Sequence, residues 1–140
     1  MIFIDYLKRK KSLNVFVTIF LALIIFYVSS LEFPSGYGVS SFKAVLYHFG
    51  IFFLFNFFFM MCVYKYDRFE NQFNLFLIVF LLSVFYSILD ELHQFFVPGR
   101  MCSLEDIFVD LSGILFSFLV HVVYFNYSSK RYAGINYKDL

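Results

Sequence analysis

Four apolar stretches, each about as long as a bilayer is thick, constrain this chain more than any other feature. They occupy residues 13–31, 44–63, 73–96 and 104–125. A helix needs roughly 20 predominantly apolar residues to cross the hydrocarbon core. The connections between the stretches are short and contain glycine, proline or charged residues, which favour turns. The sequence therefore predicts an all-α integral membrane protein with four transmembrane helices in an up-down-up-down bundle.

Composition supports lipid as the solvent of these helices. Of the 140 residues, 61% are hydrophobic, including 24 Phe and 11 Tyr, whereas a soluble domain is nearer half apolar. A small domain leaves much of its surface exposed, so this excess does not fit inside a core. The predicted partner is therefore the lipid bilayer. The formal net charge of +1 argues against nucleic acid as a partner.

The distribution of basic residues predicts the orientation. With four crossings, nine of the eleven basic residues fall on one side of the membrane, and the remaining two, Lys43 and Arg100, fall on the other. By the positive-inside rule both termini are cytoplasmic, in the plasma membrane of the cell. The predicted division of the chain is a cytoplasmic basic N-terminus, a four-helix domain and a cytoplasmic tail, at residues 1–12, 13–125 and 126–140.

Polar residues gather at one predicted depth. Five of the ten acidic residues lie between positions 90 and 110, where the third stretch ends and the fourth begins. The predicted topology brings His48 of the second stretch to the same outer level. Charged groups inside a membrane span are rare and usually functional. The predicted ligand-binding residues are Ser30, His48, Asp90, Glu91, Gln94, Arg100, Asp106 and Asp110.

Spacing places several of these residues on common helix faces, because residues three or four apart are neighbours on a helix. The Gly113–Ser117 spacing favours close helix packing and predicts that the polar face of the fourth helix points into the bundle. The candidates for acid–base catalysis are His48, Asp90, Glu91, His93 and Asp106. The histidines and acids are also candidate metal ligands, but no HExxH-type spacing is present, so we expect no metal and no other cofactor.

The run DELHQFFVPGRMCSLEDIFVDLSG, residues 90–113, resembles the signature of the VanZ-like membrane proteins. That signature reads D-E-x-x-Q-x-F-x-P-G-R, then, after a short gap, D-x-x-x-N/D-x-x-G. The serines at 29–30 and the segment YHFGIFF at 47–53 resemble two further family motifs. The family often has a lysine three residues before its histidine, whereas Lys43 lies five residues before His48. The resemblance covers the four-helix core, roughly residues 13–125.

The resemblance implies a link to cell-envelope chemistry, since the family is named for a component connected with resistance to the glycopeptide antibiotic teicoplanin. Three functions stay open. The polar site binds an outer-leaflet lipid head group, a cell-envelope precursor or a glycopeptide; or it belongs to a membrane-embedded enzyme acting on an outer-leaflet lipid or phosphate ester by acid–base chemistry; or it is a closed salt-bridge network with a structural role. A transporter is disfavoured, because four helices are few for alternating access. The sequence is compatible with a homo-oligomer.

Overall fold

The computed structural model describes residues 2–32, 41–64, 69–100 and 104–136. These residues form five helices: α1 (Ile2–Lys8), α2 (Lys11–Ser29), α3 (Ser41–Val63), α4 (Phe69–Phe95) and α5 (Leu104–Asn136). The four long helices each contain a segment long and apolar enough to cross a membrane, at Lys11–Ser29, Phe42–Val63, Gln72–Phe95 and Leu104–Ser128. The prediction of four transmembrane helices is confirmed.

The long helices alternate in direction. Near the end of α2, Ser29 contacts Asp90, which lies near the end of α4. Near the start of α3, His48 contacts Asp110, which lies near the start of α5. These four helix ends therefore meet at one end of the bundle, which we call the distal end. The opposite end, which carries α1, is the terminal end. Which side of the membrane each end faces remains a prediction from the charge distribution.

Close packing between α3 and α5 stabilises the centre of the bundle. Helix α3 packs against α2, α4 and α5, and most extensively against α5. A Cβ atom placed on Gly113 would lie 2.4 Å from the Phe49 carbonyl oxygen, so only glycine permits this approach. Asp110 and Ser117, on the same face of α5, are fully buried. The polar face of α5 therefore points into the bundle, as its spacing predicts.

One buried amide joins three helices in the middle of the bundle. Asn56 of α3 donates a hydrogen bond to the Ile114 carbonyl of α5 (3.1 Å) and accepts one from the Ser83 hydroxyl of α4 (2.9 Å). Because lipid offers no hydrogen-bonding partners, polar side chains in a span satisfy one another between helices. The outer surface is apolar by contrast, and Phe16, Phe42 and Phe108 are each more than 60% exposed. These rings face the lipid.

Helix α1 lies within the segment predicted as the cytoplasmic basic N-terminus, and it folds back against α2 and α3. Its Lys8 side chain is buried and donates to the Tyr124 hydroxyl of α5 (3.1 Å). That hydroxyl donates to Asp5 (2.6 Å), which also pairs with Lys8 at 3.3 Å. The Lys8 ammonium lies 4.3 Å from the centre of the Tyr64 ring, a cation–π distance. We call Asp5, Lys8, Tyr64 and Tyr124 the terminal cluster.

The surroundings of the terminal cluster shift the pKa values of Asp5 and Lys8. The hydrogen bond from Tyr124 and the nearby Lys8 ammonium lower the pKa of Asp5 below its usual value. Burial also lowers the pKa of Lys8, because the loss of hydration outweighs its favourable interactions with Asp5. The cluster nevertheless ties the N-terminal helix to α5.

Candidate functional site

Polar side chains from all four long helices converge at the distal end of the bundle. We call this set the distal cluster. Its members are Ser29, Ser30, His48, Ser87, Asp90, Glu91, His93, Gln94, Arg100, Asp106 and Asp110. The positions of these residues follow from the alternation of the helices, because α2 and α4 end at this level while α3 and α5 begin there.

Asp90 is held by two neutral donors. The Ser29 hydroxyl donates to one carboxylate oxygen at 2.7 Å, and the Gln94 amide donates to the other at 2.9 Å. Gln94 lies one helical turn after Asp90, which is the spacing of neighbours on a helix face. All three side chains are buried. The carboxylate therefore has its hydrogen-bonding needs met within the protein, at the junction of α2 and α4.

Asp110 forms a second buried centre, at the junction of α3, α4 and α5. One carboxylate oxygen lies 2.9 Å from Nδ1 of His48, and the other accepts a hydrogen bond from the Ser87 hydroxyl at 3.0 Å. Asp110 is fully buried, and His48 is 6% exposed. A carboxylate on Nδ1 fixes the orientation of an imidazole ring and directs its second nitrogen away from the acid. This geometry suits a histidine that binds or exchanges protons with a ligand.

His93 and Arg100 connect α4 and its following turn to the end of α2. Nε2 of His93 lies 3.0 Å from the Ser30 hydroxyl, and the imidazole stacks on the Phe26 ring at 4.8 Å. The Arg100 guanidinium donates to the Val28 carbonyl at 2.6 Å. The turn that presents Arg100 contains Gly99 with a φ of 79°, a left-handed conformation that glycine adopts without strain. The turn therefore directs Arg100 back over the bundle.

A polar cavity of about 190 Å³ lies within this arrangement. Four of the eight predicted ligand-binding residues line it. The lining residues are Val28, Ser29, Lys43, Ala44, Tyr47, His48, Gln94, Arg100 and Asp106. Of the remaining predicted residues, Asp90 and Asp110 contact the lining through Ser29 and His48. Ser30 contacts His93 instead, while its neighbour Ser29 lines the cavity.

Several site residues were not predicted from the sequence. Ser87 lies three residues before Asp90, so its place on the same face of α4 was a usable signal. Lys43 and Tyr47 lie one turn apart at the start of α3, and only the packing of α3 against α2 and α5 shows that both reach the cavity. Which of two adjacent serines enters a site depends on the rotation of α2, and an apolar stretch without a strong polar face does not specify that rotation.

A family model described as VanZ/LLP1 matches residues 3–125. The chain belongs to the VanZ/LLP1 family. The matched region contains the whole distal cluster, as well as the close contact at Gly113. No curated protein and no solved structure matches the chain. The VanZ/LLP1 match therefore supports the resemblance found in the sequence.

Proposed function

We propose that the distal cavity of this VanZ/LLP1 protein binds the anionic head group of a membrane amphiphile, an outer-leaflet lipid or a cell-envelope precursor. The observation that carries the proposal is the cavity itself, in which two basic residues, Lys43 and Arg100, stand beside neutral donors and a single acid, Asp106. Arginine binds phosphate and carboxylate groups in a planar, bidentate manner, and lysine adds a point charge. A closed salt-bridge network, the structural alternative, needs no such cavity.

The size of the cavity limits what enters it. Pockets that enclose a drug-sized molecule are about 300–1,000 Å³, whereas this cavity is about 190 Å³. It therefore accommodates a head-group fragment such as a phosphate ester, while the acyl or prenyl chains of the same molecule stay in the bilayer. The exposed apolar rings of α2 and α3, such as Phe26 and Phe42, offer a surface for those chains.

The choice of the outer leaflet depends on the predicted orientation. The distribution of basic residues along the sequence predicts a cytoplasmic terminal end by the positive-inside rule, and in that orientation the cavity faces outward. A fluorescent protein fused to the C-terminus should fold and fluoresce, whereas alkaline phosphatase at the same position should stay inactive. The reverse pattern would move the proposed ligand to the inner leaflet.

The family link to teicoplanin resistance favours a cell-envelope precursor as the ligand. A phospholipid is the other candidate. A carboxylate at the end of a cell-wall peptide and a lipid phosphate both suit Arg100. Native mass spectrometry of the mildly extracted protein separates them, because a retained phospholipid, a lipid-linked precursor and a glycopeptide differ in mass. Retention of a phospholipid or a lipid-linked precursor supports the proposal and identifies the ligand, whereas retention of a glycopeptide alone would contradict it.

Matched variants show whether the cavity is responsible. Arg100→Gln and Lys43→Gln should each weaken ligand affinity by about tenfold, the loss of roughly 1.4 kcal/mol expected for a charge-assisted contact, and lower occupancy accordingly. Lys10→Gln and Lys11→Gln remove equal charges from exposed positions at the terminal end and should leave occupancy unchanged. Equal losses in all four variants would mean that the anion binds by general attraction to the surface, which contradicts the proposal.

The second candidate function is catalysis, and the pairing of His48 with Asp110 favours it. The described hydrogen bond of His48 uses Nδ1, so Nε2 is the nitrogen that a substrate in the cavity would meet. A histidine held by a carboxylate is a frequent general base. An amphiphile recovered intact after prolonged incubation supports binding alone. Conversion of a phosphate ester that is lost in His48→Gln, with the ligand still bound, would favour the enzyme.

A further inference from the structure

Three side chains of the distal cluster bring metal-ligand atoms together next to the cavity. His48, Glu91 and Asp110 each offer one such atom, and these atoms lie within 4.8 Å of one another. The residues belong to α3, α4 and α5, so their spacing along the chain could not reveal the group. We propose that they bind a divalent transition-metal ion, whatever ligand occupies the cavity.

The donor set suits such an ion. One imidazole nitrogen and two carboxylate oxygens are ligands that Zn²⁺ and Mn²⁺ accept, and three protein ligands leave a coordination position open. Donor atoms in a tetrahedral zinc site lie about 3.4 Å apart, because each is about 2.0–2.2 Å from the metal. His48 Nδ1 and Asp110 Oδ1 are already 2.9 Å apart. Metal binding would release the proton that this pair shares, and it requires a side-chain rotation that brings all three donor atoms, now within 4.8 Å of one another, to a coordination distance.

Charge and burial favour a cation at this position. His48, Glu91 and Asp110 are 6%, 1% and 0% exposed, and all three lie in membrane-spanning segments. Carboxylates are costly to bury in a membrane unless an opposite charge compensates them. A divalent cation bound by this group would lie between one imidazole and two carboxylates, and its charge would offset the cost of burying them.

The surroundings of the three ligands resemble those of established metal sites. Metal-binding carboxylates are usually oriented by a further hydrogen bond, and the Ser87 hydroxyl provides one to Asp110. His48 lines the cavity, which gives an ion a polar route to the site. The open coordination position would then face the space in which we place the anionic head group.

The proposal is tested by metal content. The full chain, without a polyhistidine tag, is purified in detergent, treated with a chelator, and incubated with Zn²⁺ or Mn²⁺ before unbound metal is removed. Mass spectrometry with inductively coupled plasma should find close to one equivalent of at least one of the two metals. Glu91→Gln and Asp110→Asn should each reduce metal affinity by about tenfold or more, since even outer-shell changes cost 10–100-fold.

Controls distinguish the site from general attraction to acids and histidines. Glu105→Gln removes an exposed acid from α5, and His93→Gln removes the histidine that contacts Ser30; both should retain the metal. If the cluster variants do not fold, the wild-type protein still decides the matter, because electron spin echo spectra of the Mn²⁺-loaded chain must show coupling to an imidazole nitrogen. Substoichiometric binding of both metals, equal loss in the controls, or stoichiometric Mn²⁺ without nitrogen coupling would overturn the metal site without affecting the test of anion binding.

Discussion

The two ends of this bundle bury charge in different ways. At the terminal end, Lys8 lies against the Tyr64 and Tyr124 rings and donates hydrogen bonds to Tyr124 and Asp5. At the distal end, Asp90 and Asp110 are held by neighbouring side chains, yet a polar cavity with two further cations opens beside them. The terminal cluster therefore links α1 to α5, whereas the distal cluster surrounds a polar cavity.

The largest effect that we expect comes from filling the cavity. Ala44 lines it, and in Ala44→Phe the added ring would occupy much of the 190 Å³. Bound ligand, measured by native mass spectrometry, should fall to near zero while the helical circular dichroism spectrum is unchanged. Leu46→Phe adds a ring on a lipid-facing position of the same helix and should leave binding intact. Normal binding in Ala44→Phe would show that the ligand lies elsewhere.

The next largest effect tests the close packing of α3 against α5, between the two ends of the bundle. Gly113→Ala places a Cβ atom 2.4 Å from the Phe49 carbonyl oxygen and should lower the free energy of unfolding by about 2 kcal/mol through overpacking. Gly50→Ala meets nothing within 4 Å and should stabilise α3 by about 0.5–1 kcal/mol. Unfolding in mixed detergent, followed by circular dichroism, measures both. Equal effects would contradict the close α3–α5 contact.

A smaller effect is expected at the terminal end. Tyr124→Phe removes the hydroxyl that links Lys8 to Asp5 and should cost about 1 kcal/mol of stability. Ligand occupancy at the distal cavity should not change. Tyr127→Phe alters an exposed ring of the same helix and serves as the control. A loss of ligand in Tyr124→Phe would mean that the two clusters are coupled, which would contradict independent roles for the two ends of the bundle.

The smallest effect that we expect is a pH dependence of stability that arises from the titration of Asp5. Its pKa lies below the usual 3.8 because Tyr124 and Lys8 favour the charged form, so its contribution to stability is complete above that value and is lost as the pH falls through the lower folded-state pKa. The stability difference between wild type and Asp5→Asn should therefore shrink below pH 3.8. A constant difference down to lower pH would show that the carboxylate of Asp5 is not held in its charged form.

The sequence was most informative about features that depend on a single property, such as the length of an apolar stretch. Apolar length predicted four spans, and the start of the first differs from the structure by only two residues, 13 against Lys11. The sequence also predicted that the polar residues share one depth, because helices that alternate in direction begin and end at the same two levels. The contact of His48 with Asp110 agrees with that reasoning, although the sequence did not specify the pair.

The remaining features depend on contacts that are distant along the chain. Helix α1 is seven residues long, too short for a strong periodic signal, and Lys8 is 116 positions from its partner Tyr124 along the chain. The rotation of α2 decides that Ser29 rather than Ser30 meets Asp90. The grouping of His48, Glu91 and Asp110 likewise needs three helices in place, which explains why spacing rules for metal sites gave no indication of it.

The most direct test is an experimental structure of the protein in lipid nanodiscs that contain phosphatidylglycerol. Our account predicts density for an anionic head group in contact with Arg100 and Lys43 in the distal cavity, with no bound anion at Lys8. A structure in which Arg100 pairs with Asp106 and side chains close the cavity would contradict it.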